Sequence, residues 1–479
     1  MADGVDPDLN QVLTRIDEAL EQSLERLFAL LQIPSVSTES AHRADCAKAA
    51  GWLHDELSGL GFETEIISME AAVPGGHPLV VASHPGVGPD LGQVPTALFY
   101  GHYDVQPIDP ITLWDHQPFS PRIETLDDGS KIIRARGASD DKGQMMTFIE
   151  ALRAWRDVAG GPPIPVKLLI EGEEEAGGRS MGPFLAAHAQ KVKADLAMVC
   201  DTNMWARGRP AITMSLRGIV TGTVRIKAAN RDLHSGHYGS AARNALALMV
   251  HILAALRDED GAVTLDGFYD AVPETPAAML ESWDTLAFDS SAFLGDIGLA
   301  LAAGEHNRSI LEQCWARPTA EINGIWGGYT GDGFKTVIPS EGHAKVSFRL
   351  VGDQDPEKIW ASFKKHVRDR LPADCRVAFD GHGGAKAISI APNNPYVAKA
   401  NAALQAEWGV PVALTGCGGS IPVVENFKRI LNMDTLLVGF GLDDDNIHAP
   451  NEKYDLVSFR RGARSWARIL AELGRHAAS

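Results

Sequence analysis

The chain has 479 residues, 45% hydrophobic and 22% charged, with a formal net charge of −18. This composition supports a large buried core, and the acidity argues against nucleic acid or an anionic membrane surface as a partner. Five dispersed cysteines without a CxxC pair suggest reduced thiols and a cytoplasmic location, Asp3, Asp6 and Asp8 precede no apolar signal region, and no run approaches the roughly 18 apolar residues of a membrane span. In chain order, Leu9, Val12, Leu13, Ile16, Leu20, Leu24, Leu27 and Leu31 recur every three or four residues, and Pro34 follows. That spacing predicts one amphipathic helix. Apolar runs at Leu79–Ala82, Ala97–Tyr100, Val166–Ile170 and Leu196–Cys200 then alternate with helical stretches near 142–156 and 181–190. Such alternation predicts an α/β sheet covered by helices, with its site at the carboxyl ends of the strands.

Beyond residue 212 the pattern changes. Val220, Val224 and Ile226 alternate with polar residues, as do Ala344, Val346, Phe348 and Leu350. These are strands with one buried face. Ala241–Leu256 and Pro356–Leu371 read as helices, while 257–310 resists assignment and fits an extension of the same domain. The run Thr435–Phe440 and an amphipathic helix through Leu456, Phe459, Ala463, Trp466, Leu470 and Leu473 return to the first pattern. The expectation is a mixed-sheet α/β catalytic domain over 1–212 and 389–479, interrupted by an α+β domain over 213–388.

Ionisable residues gather at the predicted strand ends. His102-x-Asp104 follows Ala97–Tyr100, and a ligating imidazole needs a second acceptor of this kind to fix its tautomer. Alone, the pair reads more readily as a structural hydrogen bond. Asp140-Asp141 lies between Gly137 and Gly143; adjacent carboxylates repel unless a positive charge is near, though a helix cap followed by an acidic first turn is an equal alternative. Glu171, Glu173, Glu174 and Glu175 follow a core strand directly, which suits a solvated charge run poorly. Asp201 ends Leu196–Cys200, and an acidic loop from Asp443 delivers His448 ahead of a helix. As a set, mixed imidazole and carboxylate donors suit Zn²⁺, with Mn²⁺ or Co²⁺ as alternatives. Two such ions ~3.5–4 Å apart clamp and acidify a water, and a neighbouring carboxylate accepts its proton. HExxH, Walker A and GxGxxG motifs are absent. Gly178-Arg-Ser180-Met-Gly182 fits GxSxG only by chance, because it follows the glutamates rather than forming a strand-to-helix elbow.

The segments Gly-His102-Tyr-Asp104-Val-Gln-Pro, Ser-Asp140-Asp-Lys-Gly, Glu-Gly-Glu-Glu174-Glu175, Arg231-Asp-Leu-His234-Ser-Gly, Lys335-Thr336-Val-Ile-Pro, Ser-Phe-Arg349-Leu and Gly418-Gly-Ser420-Ile-Pro together resemble the di-zinc metallopeptidase family. Its members include aminoacylase, acetylornithine deacetylase and succinyl-diaminopimelate desuccinylase, and the resemblance is greatest to its carnosinase-type cytosolic dipeptidases. It implies two divalent ions per subunit. His102 and Glu175 would be terminal ligands, Asp201 and His448 would serve the other ion, and Asp140 would bridge both. Asp104 would orient His102, and Glu174 would be general base and acid. The Asp140–Asp141 peptide would be cis. The inserted domain would act as a lid and dimerisation domain. Its His234 would stabilise the oxyanion, in dimeric members at the partner subunit's site. Thr336, Arg349 and Ser420 would hold the substrate's C-terminal carboxylate. One departure stands out: Gly416 and Cys417 occupy positions where carnosinase-like members often carry Arg-Glu, so the pocket beside Ser420 is expected to be less charged. The implied activity is hydrolysis of a dipeptide or short peptide with a free carboxylate. N-acyl-amino-acid deacylation at the same centre is the alternative, and a catalytically inactive binding protein is disfavoured by the intact set.

Overall fold

The computed structural model describes residues 7–88 and 91–475, so Asp3 and Asp6 lie outside the described residues. The chain divides into two compact units. Unit one comprises residues up to 214 with 390–415 and 422–479; unit two comprises 215–389 with 416–421.

In unit one, the strands β1 (Glu63–Ile67), β2 (Leu79–His84), β3 (Ala97–His102), β4 (Val166–Glu171), β5 (Leu196–Val199) and β6 (Ala211–Leu216) form a mixed sheet. The order is β1-β2-β4-β3-β5, then the strand Asp434–Leu437, then β6. β3 runs parallel to both β4 and β5, and Asp434–Leu437 runs parallel to β5. β1 and β2 are antiparallel additions. Every residue of β3 and of β5 is buried, as expected of strands covered on both faces. The order places β3 between β4 and β5, so the three strand ends carrying His102, Glu171 and the approach to Asp201 are side by side.

The helices of unit one are α1 (Pro7–Glu18), α2 (Leu20–Leu31), α3 (Lys142–Ala159) and α4 (Leu456–Gly474), among others. Phe99 of β3 stacks on Phe148 of α3, with centroids 3.8 Å apart, and Trp466 of α4 meets both rings edge-on. This aromatic cluster fixes α3, and hence the turn before it, against β3.

The single N-terminal helix predicted from the leucine spacing is two helices. Ala19 leaves helical geometry at φ −92°, ψ 7°, yet Ala19 N–H still donates to Arg15 O and Ser23 N–H to Ala19 O. The apolar stripe crosses the kink in phase, so periodicity could not report it. Similarly, the helix read over Ala241–Leu256 starts only at Ala245, because Asn244 caps it by accepting from Leu246 N–H and Ala247 N–H.

Unit two holds a four-stranded antiparallel sheet of β7 (Gly218–Lys227), β8 (Thr319–Gly327), β9 (Glu341–Leu350) and β10 (Arg376–Ala385), in the order β8-β9-β7-β10. Val220, Val224, Ile226, Val346 and Phe348 pack beneath the helices Ala245–Ala254 and Pro356–Arg370. The 257–310 stretch contributes short helices at Ala277–Asp284 and Ser290–Asp296. The sequence reading left 416–421 with the returning segment 389–479; the structure gives these residues to unit two. There Arg217 N–H donates to Cys417 O, Arg217 Nε donates to Gly418 O, and Arg349 reaches Ser420. Such backbone-directed contacts leave no trace in hydropathy.

Candidate metal centre

The centre of unit one is built at strand ends. His102 is the last residue of β3. Its neighbour β5 pairs in parallel register, Tyr100 opposite Val199, and two more residues along that register bring His102 beside Asp201. On the other side, β4 ends at Glu171 opposite His102, and the chain turns into a one-turn 3₁₀ helix, Glu174–Ala176. Asp140 sits in the turn before α3, and the Asp140–Asp141 peptide is cis. His448 lies in the loop after Asp434–Leu437, held in the left-handed region at φ 59°. A short strand, Lys453–Asp455, separates it from α4, where the sequence suggested a helix directly.

The two oxygens of Asp140 face different histidines. Oδ1 lies 3.2 Å from His102 Nε2, and Oδ2 lies 2.9 Å from His448 Nε2. Asp201 Oδ2 stands 3.9 Å from His102 Nε2, and Glu175 Oε2 stands 3.2 Å from His448 Nε2. Two ligand groups result, His102–Asp140–Asp201 and Asp140–Glu175–His448, each with its ligand atoms within 4.8 Å of one another. Asp140 is common to both. This corrects the expected division of terminal ligands: His102 goes with Asp201, not Glu175, and His448 goes with Glu175, not Asp201. The reason is register. His102 and Asp201 leave adjacent parallel strands at the same level, whereas Glu175 rides a turn beyond β4 that the His448 loop meets.

Hydrogen bonds hold this arrangement. Asp104, fully buried, accepts from Ser37 Oγ at 2.6 Å, Glu174 N–H at 3.2 Å and Glu175 N–H at 3.0 Å. Its carboxylate lies 3.4 Å from His102 Nδ1, and its backbone carbonyl is nearer, at 3.1 Å. It therefore positions the glutamate turn as well as His102. Asp141 accepts from His102 N–H, and Gln106 Nε2 donates to Glu175 Oε2. Glu452 accepts from the N–H groups of Gly137, Ser139 and Asp140. Sequence reading assigned no role to Ser37, Gln106 or Glu452. Gln106 stood inside the Gly-His102-Tyr-Asp104-Val-Gln-Pro segment and Glu452 just beyond the His448 loop, whereas Ser37 carried no local signal.

The electrostatics demand positive charge. Burial would lower the imidazole of His102, but the facing carboxylates of Asp104 and Asp140 outweigh it and hold the group well above its usual range. His448 is raised to about 10 by Asp140 and then Glu175. Burial opposes ionisation of Asp140, but the same two histidines keep it below the ordinary carboxylate range. Burial and then Asp140 push Asp201 well up. Burial, opposed by His102 and reinforced by Glu175, Asp104 and Asp140, raises Glu174 to about 7. In the bare chain, protons on two imidazoles offset this cluster of carboxylates; bound cations would take over that role. His102 Nε2 and Glu175 Oε1 are buried and make no hydrogen bond. Orphaned atoms on both ligand groups, with an all N/O donor set, fit divalent cations such as Zn²⁺, Mn²⁺ or Co²⁺.

The other four predicted residues belong to unit two. His234 is exposed on a two-residue strand paired with Val337–Ile338, its Nδ1 accepting from Gly236 N–H at 3.0 Å. Thr336 is adjacent, its carbonyl accepting from Ser235 N–H. Arg349 Nη1 lies 3.4 Å from Ser420 Oγ. At Gly416, an added Cβ would come within 2.6 Å of Trp315 Cβ, so the Trp315 side chain occupies the room another side chain would need. Cys417 Sγ accepts from Gly419 N–H at 3.3 Å, shaping the turn that carries Ser420.

With this geometry established, residues 98–472 match the model of peptidase family M20/M25/M40. The chain belongs to that family. This M20 chain is 30% identical over 478 residues to the Cys-Gly metallodipeptidase DUG1 of Saccharomyces cerevisiae, covering 96% of this chain and 97% of that one. It is 27% identical over 477 residues to the human Beta-Ala-His dipeptidase, covering 97% and 92%. Among solved structures, an M20 family metallo-carboxypeptidase of Sulfolobus solfataricus superposes with a TM-score of 0.81 at 29% identity, covering 94% of this chain and 99% of that one. The yeast di-peptidase Dug1p superposes with a TM-score of 0.78 at 26% identity, covering 97% and 98%.

Proposed function

We propose that this M20 chain is a metal-dependent dipeptidase, cleaving dipeptides or short peptides with a free C-terminal carboxylate. The observation that carries the reading is Asp140, whose two oxygens address two separate histidines, each with its own further carboxylate. His102, Asp140 and Asp201 would hold one divalent ion and Asp140, Glu175 and His448 the other, with zinc the expected metal and manganese or cobalt as alternatives. When bound, the ions supply Lewis acidity, acidifying water and polarising the scissile carbonyl. Glu174 would accept a proton from the attacking water and return it to the leaving amine. Asp104 holds His102 in the ligating tautomer and fixes the backbone of the Glu174 turn. His234 donates to the developing oxyanion, and Arg349, with Ser420 and Thr336, binds the terminal carboxylate, a task suited to a guanidinium fork. The dipeptidase names of DUG1 and the human relative favour peptides over N-acyl amino acids. A dipeptide panel is expected to be hydrolysed with higher kcat/KM than the matching N-acetyl amino acids by the zinc-loaded enzyme. The reverse ranking would establish a deacylase instead.

The proposal extends to a cytoplasmic homodimer assembled through unit two. β8 is an edge strand of its sheet and leaves Ile322, Ile325 and Trp326 exposed, a combination that invites pairing with another chain. His234→Ala is expected to keep its metal and lose about 10²–10³-fold in kcat, the loss of one preorganised oxyanion donor. Mixing it with Glu174→Gln chains is expected to restore activity through heterodimers in which one site is intact. Absence of recovery between chains shown to exchange subunits would place the histidine in its own subunit's reaction.

A further inference from the structure

We propose that the buried ion pair Arg136–Glu452 is a positioning device that sets the spacing of Asp140 and His448, and through it metal affinity. This rests on the metal-centre reading above. Arg136 Nη1 lies 2.8 Å from Glu452 Oε2, with side-chain exposures of 2% and 0%. Neither residue belongs to a ligand group, yet the pair touches three of the segments that carry ligands.

Glu452 serves the Asp140 turn. Oε2 accepts from Gly137 N–H at 2.8 Å, and Oε1 accepts from Ser139 N–H at 2.9 Å and Asp140 N–H at 3.0 Å. One carboxylate thus fixes the backbone leading to Asp140. Gly137 is itself locked, with φ 82° and only 2.7 Å between an added Cβ and Val105 Cγ1. Arg136 serves the other two segments. Its Nη2 donates to Ala449 O at 3.2 Å, immediately after His448, and to Pro107 O at 3.1 Å, in the loop that follows His102 and Asp104. Its guanidinium also lies 5.2 Å from the Trp114 ring centre.

A buried ion pair brings little net stability over an apolar pair of similar volume, because desolvation consumes the attraction. Its distinctive product here is geometric. The backbone of Asp140 and the backbone beside His448 are tied to opposite ends of one buried ion pair, and neither can shift without breaking charged hydrogen bonds. Groups that orient metal ligands from behind are commonly worth 10–100-fold in affinity.

The test is a zinc titration of the metal-free full-length chain against a chromophoric chelator, with the visible spectrum of the Co²⁺-loaded chain as a second readout. Glu452→Gln turns an amide NH₂ toward backbone N–H donors and is expected to weaken zinc binding by ~10–100-fold and to alter the Co²⁺ spectrum. Glu407→Gln is the control. Glu407 pairs with Arg464 and Arg468 elsewhere in unit one, so its loss lowers thermal stability without touching the centre, and zinc affinity is expected to stay at the unaltered value. Should Glu452→Gln fail to fold, Arg136→Lys decides alone: it keeps the charge but cannot span Glu452, Ala449 O and Pro107 O together, and the same weakening is expected. A folded variant that binds zinc as tightly as the unaltered chain overturns the proposal while leaving the metal centre standing. An unaltered chain that takes up no zinc overturns the metal-centre reading itself, and this inference with it.

Discussion

Replacing Glu174 by glutamine is expected to leave the chain's metal content intact and to lower kcat by about 10²–10⁴-fold, the range for loss of a general base. Glutamine keeps the shape of the side chain. The backbone N–H of residue 174, which donates to Asp104, is unaffected, so the turn that carries Glu175 persists. Only the proton acceptor disappears. The position is prepared for that role: burial, with Glu175, Asp104 and Asp140 adding to it against the pull of His102, brings the carboxyl to about 7 in the bare chain. There a carboxyl both takes and returns a proton readily at neutral pH, and nearby cations favour its ionised form. Elemental analysis alongside steady-state kinetics decides the matter. Metal retained with turnover unchanged would remove Glu174 from the proton pathway; metal lost would make it a ligand.

Asp140→Ala is expected to cost more. Asp140 is the one residue shared by both ligand groups, so its removal leaves His102 with Asp201 and His448 with Glu175, two-residue remnants with no link between them. It also leaves two imidazoles without the carboxylate that faces both. Binding of both ions should weaken by more than the roughly 100-fold upper range for losing a supporting partner, and turnover should fall below that of Glu174→Gln. The informative comparison is Asp201→Ala, which removes a ligand from one group only. It should retain one tightly held ion per chain, whereas Asp140→Ala should retain none. Equal metal content in the two variants would contradict a shared ligand.

These expectations follow features that were unequally visible in the sequence. The strands β3, β4 and β5 could be read because their apolar runs end abruptly in His102, Glu171 and Asp201, whereas β1 and β6 went unpredicted. The alternation in β7 and β9 was equally plain, since one face of each strand packs under helices. The pairing of ligands was not readable. It depends on which strand lies beside which, and the order β4-β3-β5 brings together segments about 70 and 100 residues apart. The kink at Ala19 keeps the apolar stripe in phase and so left no mark. Ser37 acts through a hydrogen bond to the distant Asp104 carboxylate and Glu452 through hydrogen bonds to distant backbone, and nothing in their neighbours' hydropathy announces it. The family resemblance named the residues of the centre, while only coordinates could say which of them are neighbours.

The centre draws on segments more than 400 residues apart, from Ser37 to Glu452. Ser37 steadies Asp104, and at the other end His448 and Glu452 complete the surroundings of Asp140. A nascent polypeptide still on the ribosome has His102, Asp140, Glu175 and Asp201 long before it has His448. Until residue 448 has been added, the Asp140–Glu175–His448 group cannot close. A chain interrupted before residue 448 would therefore carry the His102–Asp140–Asp201 group without the second.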